Sequence, residues 1–382
     1  MTTASFTRRA LLGFAAAAAA SPLLATGAWA ADDPILIGYQ LPLTGDTAQY
    51  GLDFKTAAEI ALKDFNASHR IDRPVKIVYE DSRSDAKEGI AIARKFSDNS
   101  KIVAVLGDFT STVSMAAAQV YKRTGMPQLS QTASAPAYSK ISKWQFRNIT
   151  TQAQEGPYNA DWMNQLGYKK IAVIAEQTDW GQSVVGDFSK EVKAKGGEIV
   201  FSEFFNRGLP DFRSIITKID RAKPDAIYTG FFYEDGAQFL KQLRQLNVNI
   251  PVFSTSAAYN DQLIKLAGKA ADGMRLTSNF LPVGGNATVQ KFIKEWKAVR
   301  GADSSPSQFP AQAYDAVRIM LDAIVRAYPN VTRESVRDAL ARTKDFPGVT
   351  GSTTFDENGD AQKKLVKAVV KDGQFVPVET QD

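Results

Sequence analysis

Two short polar stretches hold the side chains best able to grip a small anion. The first is Gly107-Asp108-Phe109-Thr110-Ser111-Thr112, and the second, its echo, is Ser130-Gln131-Thr132-Ala133-Ser134. Hydroxyls beside the free N–H groups of a helix start suit a carboxylate, because both the dipole and the donors point at it. Ser and Thr are also ordinary helix caps, so this chemistry depends on a crevice being brought to them. Other chemistries find little support. The chain has 382 residues, one His and no Cys, which excludes disulfides, thiolate catalysis and the usual zinc sites. The sole histidine, His69, falls in a polar turn and reads as solvated. No P-loop, no G-x-G-x-x-G after a strand and no G-x-S-x-G elbow occurs. The acidic run Glu80-Asp81 to Asp85 lacks the central Gly and final Glu of a calcium loop, and reads as a turn with a helix cap. No metal and no cofactor is implied, and a binding protein is favoured over an enzyme.

The elements that must position the hydroxyls are legible around them. Lys101 to Leu106 is an apolar, β-branched run that predicts a buried parallel strand. Val113 to Thr124 carries apolar residues at helical spacing, Gly125 closes that helix, and Pro127 opens the next strand. Both polar stretches therefore leave the carboxyl ends of parallel strands, where open α/β sheets hold ligands. Upstream, Ile35 to Tyr39 and Val75 to Tyr79 predict strands, with helices from about Asp53 to Asn66 and from Ala86 to Ser97. Downstream, a polar break from Lys143 to Gly156 predicts a crossover, followed by a helix from Pro157 to Leu166. A second alternating run then follows. Within it, Asp225 to Gly230, a loop, a helix and Ile250 to Ser254 repeat the order of the first unit, with Pro251 standing where Pro127 stood. Two similar lobes with a cleft between them are a common small-molecule site. Gly348 to Phe355 and Leu365 to Phe375 predict a final hairpin turning at Asp356 to Asp360, on the Asn-Gly signal.

The N-terminus predicts export. Arg8-Arg9, an uncharged apolar run from Ala10 to Ala20 and Ala28-Trp29-Ala30 make a twin-arginine-type signal peptide over residues 1–30, cleaved after Ala30. The apolar run is too short to span a bilayer. A net charge of +5, without a clustered basic run, gives no reason to expect nucleic acid. The expected product is a soluble periplasmic protein without a nucleic-acid partner.

In this order, several motifs together resemble a known family. They are the strand and loop from Ile37 to Gly51, Glu80 to Asp85, Leu106 to Ser114, Pro127 to Ser134, Asp179-Trp180-Gly181 and Phe355 to Asp360. The chain resembles the periplasmic substrate-binding proteins of branched-chain amino-acid-type ABC transporters, the leucine/isoleucine/valine-binding group. That resemblance implies an α/β fold of two Rossmann-like lobes with parallel sheets joined by three crossovers, the type I periplasmic binding fold. It implies a first lobe of residues 31–148 plus 278–350 and a second of 149–277 plus 351–382. It implies that Ser111, Thr132 and Ser134 hold a ligand carboxylate and part of an ammonium, that Tyr50 lines the side-chain pocket, and that Trp180 and Phe232 face them from the other lobe. Where amino-acid-binding members place a Glu against the ammonium, this chain has Ala257, so Glu155 and Glu234 become candidate partners, or the ligand has no α-amine. The implied partners are a small carboxylate and an inner-membrane ABC permease, with the protein a monomer. A ligand-sensing subunit without transport and a secreted enzyme are the alternatives.

Overall fold

The computed structural model describes residues 33–378. The expected signal peptide lies outside them.

The chain builds one sheet, then a second on the same plan. Strands β1 (Ile35–Leu41), β2 (Val75–Asp81), β3 (Ile102–Leu106), β4 (Gln128–Ser130) and β5 (Gln145–Arg147) alternate with helices α1 (Ala48–Ala67), α2 (Ala86–Asp98) and α3 (Ser111–Thr124). They form a five-stranded parallel sheet of order β2-β1-β3-β4-β5. Every residue of β3 is buried, as expected of a strand covered on both faces. Gly125 ends α3 in the left-handed conformation at φ 62, which an L side chain disfavours.

The chain leaves this sheet after β5 and continues as α4 (Gln152–Gln165), β6 (Lys170–Glu176), α5 (Asp179–Ala194), β7 (Glu198–Phe205), α6 (Arg213–Ala222), β8 (Ala226–Gly230), α7 (Tyr233–Gln245), β9 (Val252–Ser254), α8 (Asp261–Ala267) and β10 (Arg275–Ser278). The order β7-β6-β8-β9-β10 repeats the permutation of the first sheet, again in parallel. The internal echo extends to single bonds. Val105 N–H donates to the Pro127 carbonyl and Ile227 N–H to the Pro251 carbonyl, each at 2.9 Å. Helices α9 (Ala287–Arg300), α10 (Gln308–Ala327) and α11 (Arg333–Ala341) then return to pack on α1, on each other and on β3. After the small hairpin of β11 (Phe346–Gly348) and β12 (Gly351–Thr353), strands β13 (Val366–Lys371) and β14 (Gln374–Pro377) join the second sheet beside β10, antiparallel. The chain thus passes between the two bodies three times, and the second sheet is mixed rather than wholly parallel.

Two expectations need correcting. The helix expected to start at Pro157 starts at Gln152, because Thr151 and Gln154 form a capping box that opens it earlier. Pro157 is carried inside the helix. The Asn358-Gly359 turn does not join two paired strands. Its loop instead runs against β5, with Arg147 N–H donating to the Gly359 carbonyl at 3.0 Å. The strands on either side of it belong to different sheets.

Candidate ligand-binding site

The polar stretches after β3 and β4 open into a cavity of about 230 Å³ whose lining comes from both sheets. That is somewhat below the ~300–1,000 Å³ of drug-sized ligand pockets, so a smaller guest is indicated. From the first sheet come Thr110, Ser111, Thr112, Thr132 and Ser134, and from the second Glu176, Thr178, Trp180, Arg207, Phe232, Ser256 and Ala257. Ser84, Phe109, Ile149, Gln152 and Phe309 complete the wall.

The hydroxyls are fixed in distinct states. Ala135 N–H donates to Ser111 Oγ at 3.2 Å, which leaves the Ser111 proton free to donate. Thr132 O–H donates to the Phe109 carbonyl at 2.7 Å, so its oxygen is left chiefly as an acceptor. The Thr110 hydroxyl accepts from Val113 N–H at 3.3 Å and caps α3. The N–H groups of Ser111 and Thr112, at the start of α3, have no acceptor within the helix.

The loop carrying Thr132 and Ser134 is held from behind by Arg147. Its Nη1 donates to the Ala133 and Ala135 carbonyls at 2.9 and 2.7 Å and its Nη2 to Ser139 Oγ at 2.7 Å, while Nε meets Asp360 Oδ1 at 2.5 Å. Arg147 is wholly buried. The preceding loop is held by Asp108, whose Oδ1 accepts from Phe109 N–H at 2.6 Å. Burial pushes the Asp108 carboxyl up to about 6, against the hydrogen bonds that favour its charged form.

The aromatic side of the cavity is continuous. Trp180 packs on Phe232 with ring centroids 5.0 Å apart, and Phe232 lies 5.2 Å from Phe109, itself 5.7 Å from Phe309. Glu176 and Arg207 form a two-point ion pair, Nε to Oε1 at 2.9 Å and Nη2 to Oε2 at 3.0 Å. The guanidinium also sits 4.8 Å from the Phe232 ring centroid.

Six of the expected site residues therefore share one cavity: Ser111, Thr132, Ser134, Trp180, Phe232 and Ala257. Tyr50 does not line it. It lies behind Phe109, stacked at 4.5 Å, and its hydroxyl reaches across to Glu234 Oε2 at 3.1 Å. Nor does either candidate acid. Glu234 is engaged with Tyr50, and Glu155 is buried beneath the wall, where it accepts from Ser256 N–H, Thr277 Oγ1 and Gln152 Nε2 at 2.6, 2.7 and 2.8 Å. Burial raises the carboxyl of both. The acid in the wall is Glu176, which the sequence reading passed over, as it did Arg207 and Phe309.

Two α/β bodies of one topology, crossed three times and enclosing a small cavity, define the type I periplasmic binding fold. The family model for Periplasmic binding protein matches residues 34–374, and the chain belongs to that family. Several of the proteins it resembles carry branched-chain amino-acid descriptions. The Leu/Ile/Val-binding protein homolog 1 of Brucella abortus is 29% identical over 336 residues, covering 87% of this chain and 88% of that protein. A Rhodospirillum rubrum structure described as a branched-chain amino acid ABC transporter is 46% identical, with a TM-score of 0.71, covering 90% of this chain and all of that one. The branched-chain amino acid transporter substrate binding protein of Streptococcus pneumoniae, solved with isoleucine, is 26% identical, with a TM-score of 0.82 and coverage of 90% and 100%.

Proposed function

We propose that this protein is the extracytoplasmic solute-binding component of an ABC importer. It takes a small carboxylate, a branched-chain amino acid or a related aliphatic or aromatic acid, between two lobes and delivers it to a membrane permease. On this reading the described residues divide into a first lobe of 33–148 plus 278–350 and a second of 149–277 plus 351–378. The observation that carries the reading is the cavity itself: free donors of Ser111 and the start of α3 on one wall, and the rings of Trp180 and Phe232 on the other. A carboxylate takes two or three such N–H and O–H donors, each charge-assisted bond contributing about 1.5–3 kcal/mol. The apolar part of the guest is desolvated against the rings. In this reading the ligand is held and released unchanged.

The test is thermal unfolding with added leucine, isoleucine, valine, benzoate and 2-oxo acids. A ligand that binds only the folded state raises the midpoint, and raises it further as its concentration exceeds its dissociation constant. Ser111→Ala is expected to weaken the ligand that shifts the midpoint by about 1–3 kcal/mol in titration calorimetry, with folding intact. Unchanged affinity removes Ser111 from the carboxylate site. No shift with any carboxylate overturns the reading.

A further inference from the structure

The cavity holds an ion pair that a simple apolar side-chain pocket has no use for. Glu176 stands at the end of β6, and Arg207 follows β7 in the adjacent strand, so both belong to the wall facing Ser111 and Thr132. The pair is not an incidental surface contact. The Glu176 side chain is 7% exposed and that of Arg207 25%, the guanidinium packs over Phe232, and the Arg207 loop is fixed by Gly208 N–H donating to the buried Asp235 at 3.0 Å. Arg207 donates to Glu176 through Nη2, while Nε lies 2.9 Å from Oε1 without hydrogen-bond geometry and Nη1 has no hydrogen-bond partner among the described residues. Each Glu176 oxygen retains a lone pair. Thr178 lines the same region, and its oxygen accepts from Gly181 N–H at 3.1 Å, leaving its proton to give.

We propose that Glu176 and Arg207 form a second polar subsite, selecting carboxylates that carry a neutral hydroxyl or carboxamide away from the carboxylate. The proposal rests on the carboxylate reading above. The sign follows from charge. The pair is neutral as it stands. A second carboxylate on the guest competes with Glu176 for Arg207, and a distal ammonium competes with Arg207 for Glu176, each leaving one buried charge without its partner. A hydroxyl or amide accepts from Nη1 and donates to Glu176 without breaking the pair. A wholly apolar tail leaves those groups desolvated and unpaired, the arrangement in which a site rejects an analogue that lacks one polar group.

Titration calorimetry with matched pairs tests this: benzoate against para-hydroxybenzoate, pentanoate against its ω-hydroxy analogue, and norleucine against glutamine. For at least one pair the polar member is expected to bind at least about ten-fold tighter, the factor expected of one hydrogen bond to a charged group. In the double variant Glu176→Met with Arg207→Met the ratio is expected to fall to about three-fold or less. The double variant removes both charges together, so neither is left alone in the cavity. Equal binding of both members of every pair that binds, or a preference that survives in the double variant, overturns the subsite while leaving the carboxylate reading intact. Failure of every acid to bind overturns both.

Discussion

At the scale of single residues, the site depends on side chains that do not touch the guest. Arg147 ties the Ala133 and Ala135 carbonyls to Asp360, and so fixes the loop that presents Thr132 and Ser134. Removing one partner of a buried ion pair leaves the other uncompensated. Arg147→Met is therefore expected to destabilise the protein by about 3–5 kcal/mol, read by denaturant unfolding, and to weaken ligand binding as the loop loosens. A loss below about 1 kcal/mol would show that the clamp is ornamental. Asp108 gives a pH dependence with a definite sign. Its carboxyl lies at about 6 in the folded protein, above the ordinary 3.8, because of burial. The folded state thus holds this proton more tightly, and the stability it contributes is present below about pH 4 and lost as pH rises through about 6. The span is worth at most about 3 kcal/mol. Asp108→Asn is expected to flatten that part of the stability profile, and an identical slope in wild type and variant would exclude the assignment. The sequence made the hydroxyl residues legible, because each sits just past a strand in a stretch of Ser and Thr. Arg147 and Asp108 were not, since an isolated charge beside a strand looks the same whether buried or solvated. Arg207 was hidden for the same reason, as a lone charge just past a strand.

At the scale of elements, the fold was readable wherever a local signal had no competitor. The buried strand β3 is apolar along its whole length, and the echo between the two units, down to Pro127 and Pro251, follows from one strand-and-helix plan used twice. The misreadings came where two signals met. Pro157 marks a helix start in isolation, but the Thr151–Gln154 box outranks it. Asn358-Gly359 marks a hairpin in isolation, yet the strands beside it are claimed by different sheets. Close packing of α5 on β6 yields a prediction at this scale. A Cβ at Gly181, in the first turn of α5, would stand 1.8 Å from the Glu176 carbonyl oxygen, which is backbone and cannot swing aside. One at Gly186 in the same helix meets nothing within 4 Å. Gly181→Ala must push the start of α5 off the sheet and carry Trp180 with it. It is expected to lower stability by more than about 2 kcal/mol and to abolish ligand-induced protection in the same thermal assay. Gly186→Ala should raise stability by about 0.5–1 kcal/mol through helix propensity alone. Equal effects of the two would mean that crowding at β6 does not control the helix.

At the scale of the whole molecule, ligand release requires the contacts between the two bodies to part, so those contacts set how long a guest is held. Among the described residues, the hydrogen bonds that span the gap near the cavity include, besides those of Gln152 to Ser134 beside the crossover, three others. Thr112 Oγ1 donates to Asp179 Oδ2 at 2.8 Å, Gln308 Nε2 to the Ser256 carbonyl at 2.8 Å, and Tyr50 O–H to Glu234 Oε2 at 3.1 Å. Thr112 lines the cavity, so changing it confounds closure with contact. Tyr50 and Glu234 do not, which makes their bond the clean probe of closure. Tyr50→Phe removes only the hydroxyl and keeps the stack on Phe109. If the bond exists only when the lobes meet, its loss lowers the closed population and leaves the guest's own contacts unchanged. A bond of this kind contributes about 0.5–1.5 kcal/mol, so dissociation should speed up by about two- to twelve-fold, with little change in the association rate. Glu234→Ala should reproduce that change, and the double variant should add little to either single one, because both remove the same bond. Stopped-flow release from the three variants measures all of this. Full additivity of the two substitutions would mean that Tyr50 and Glu234 act independently, and that closure is held by the remaining contacts alone.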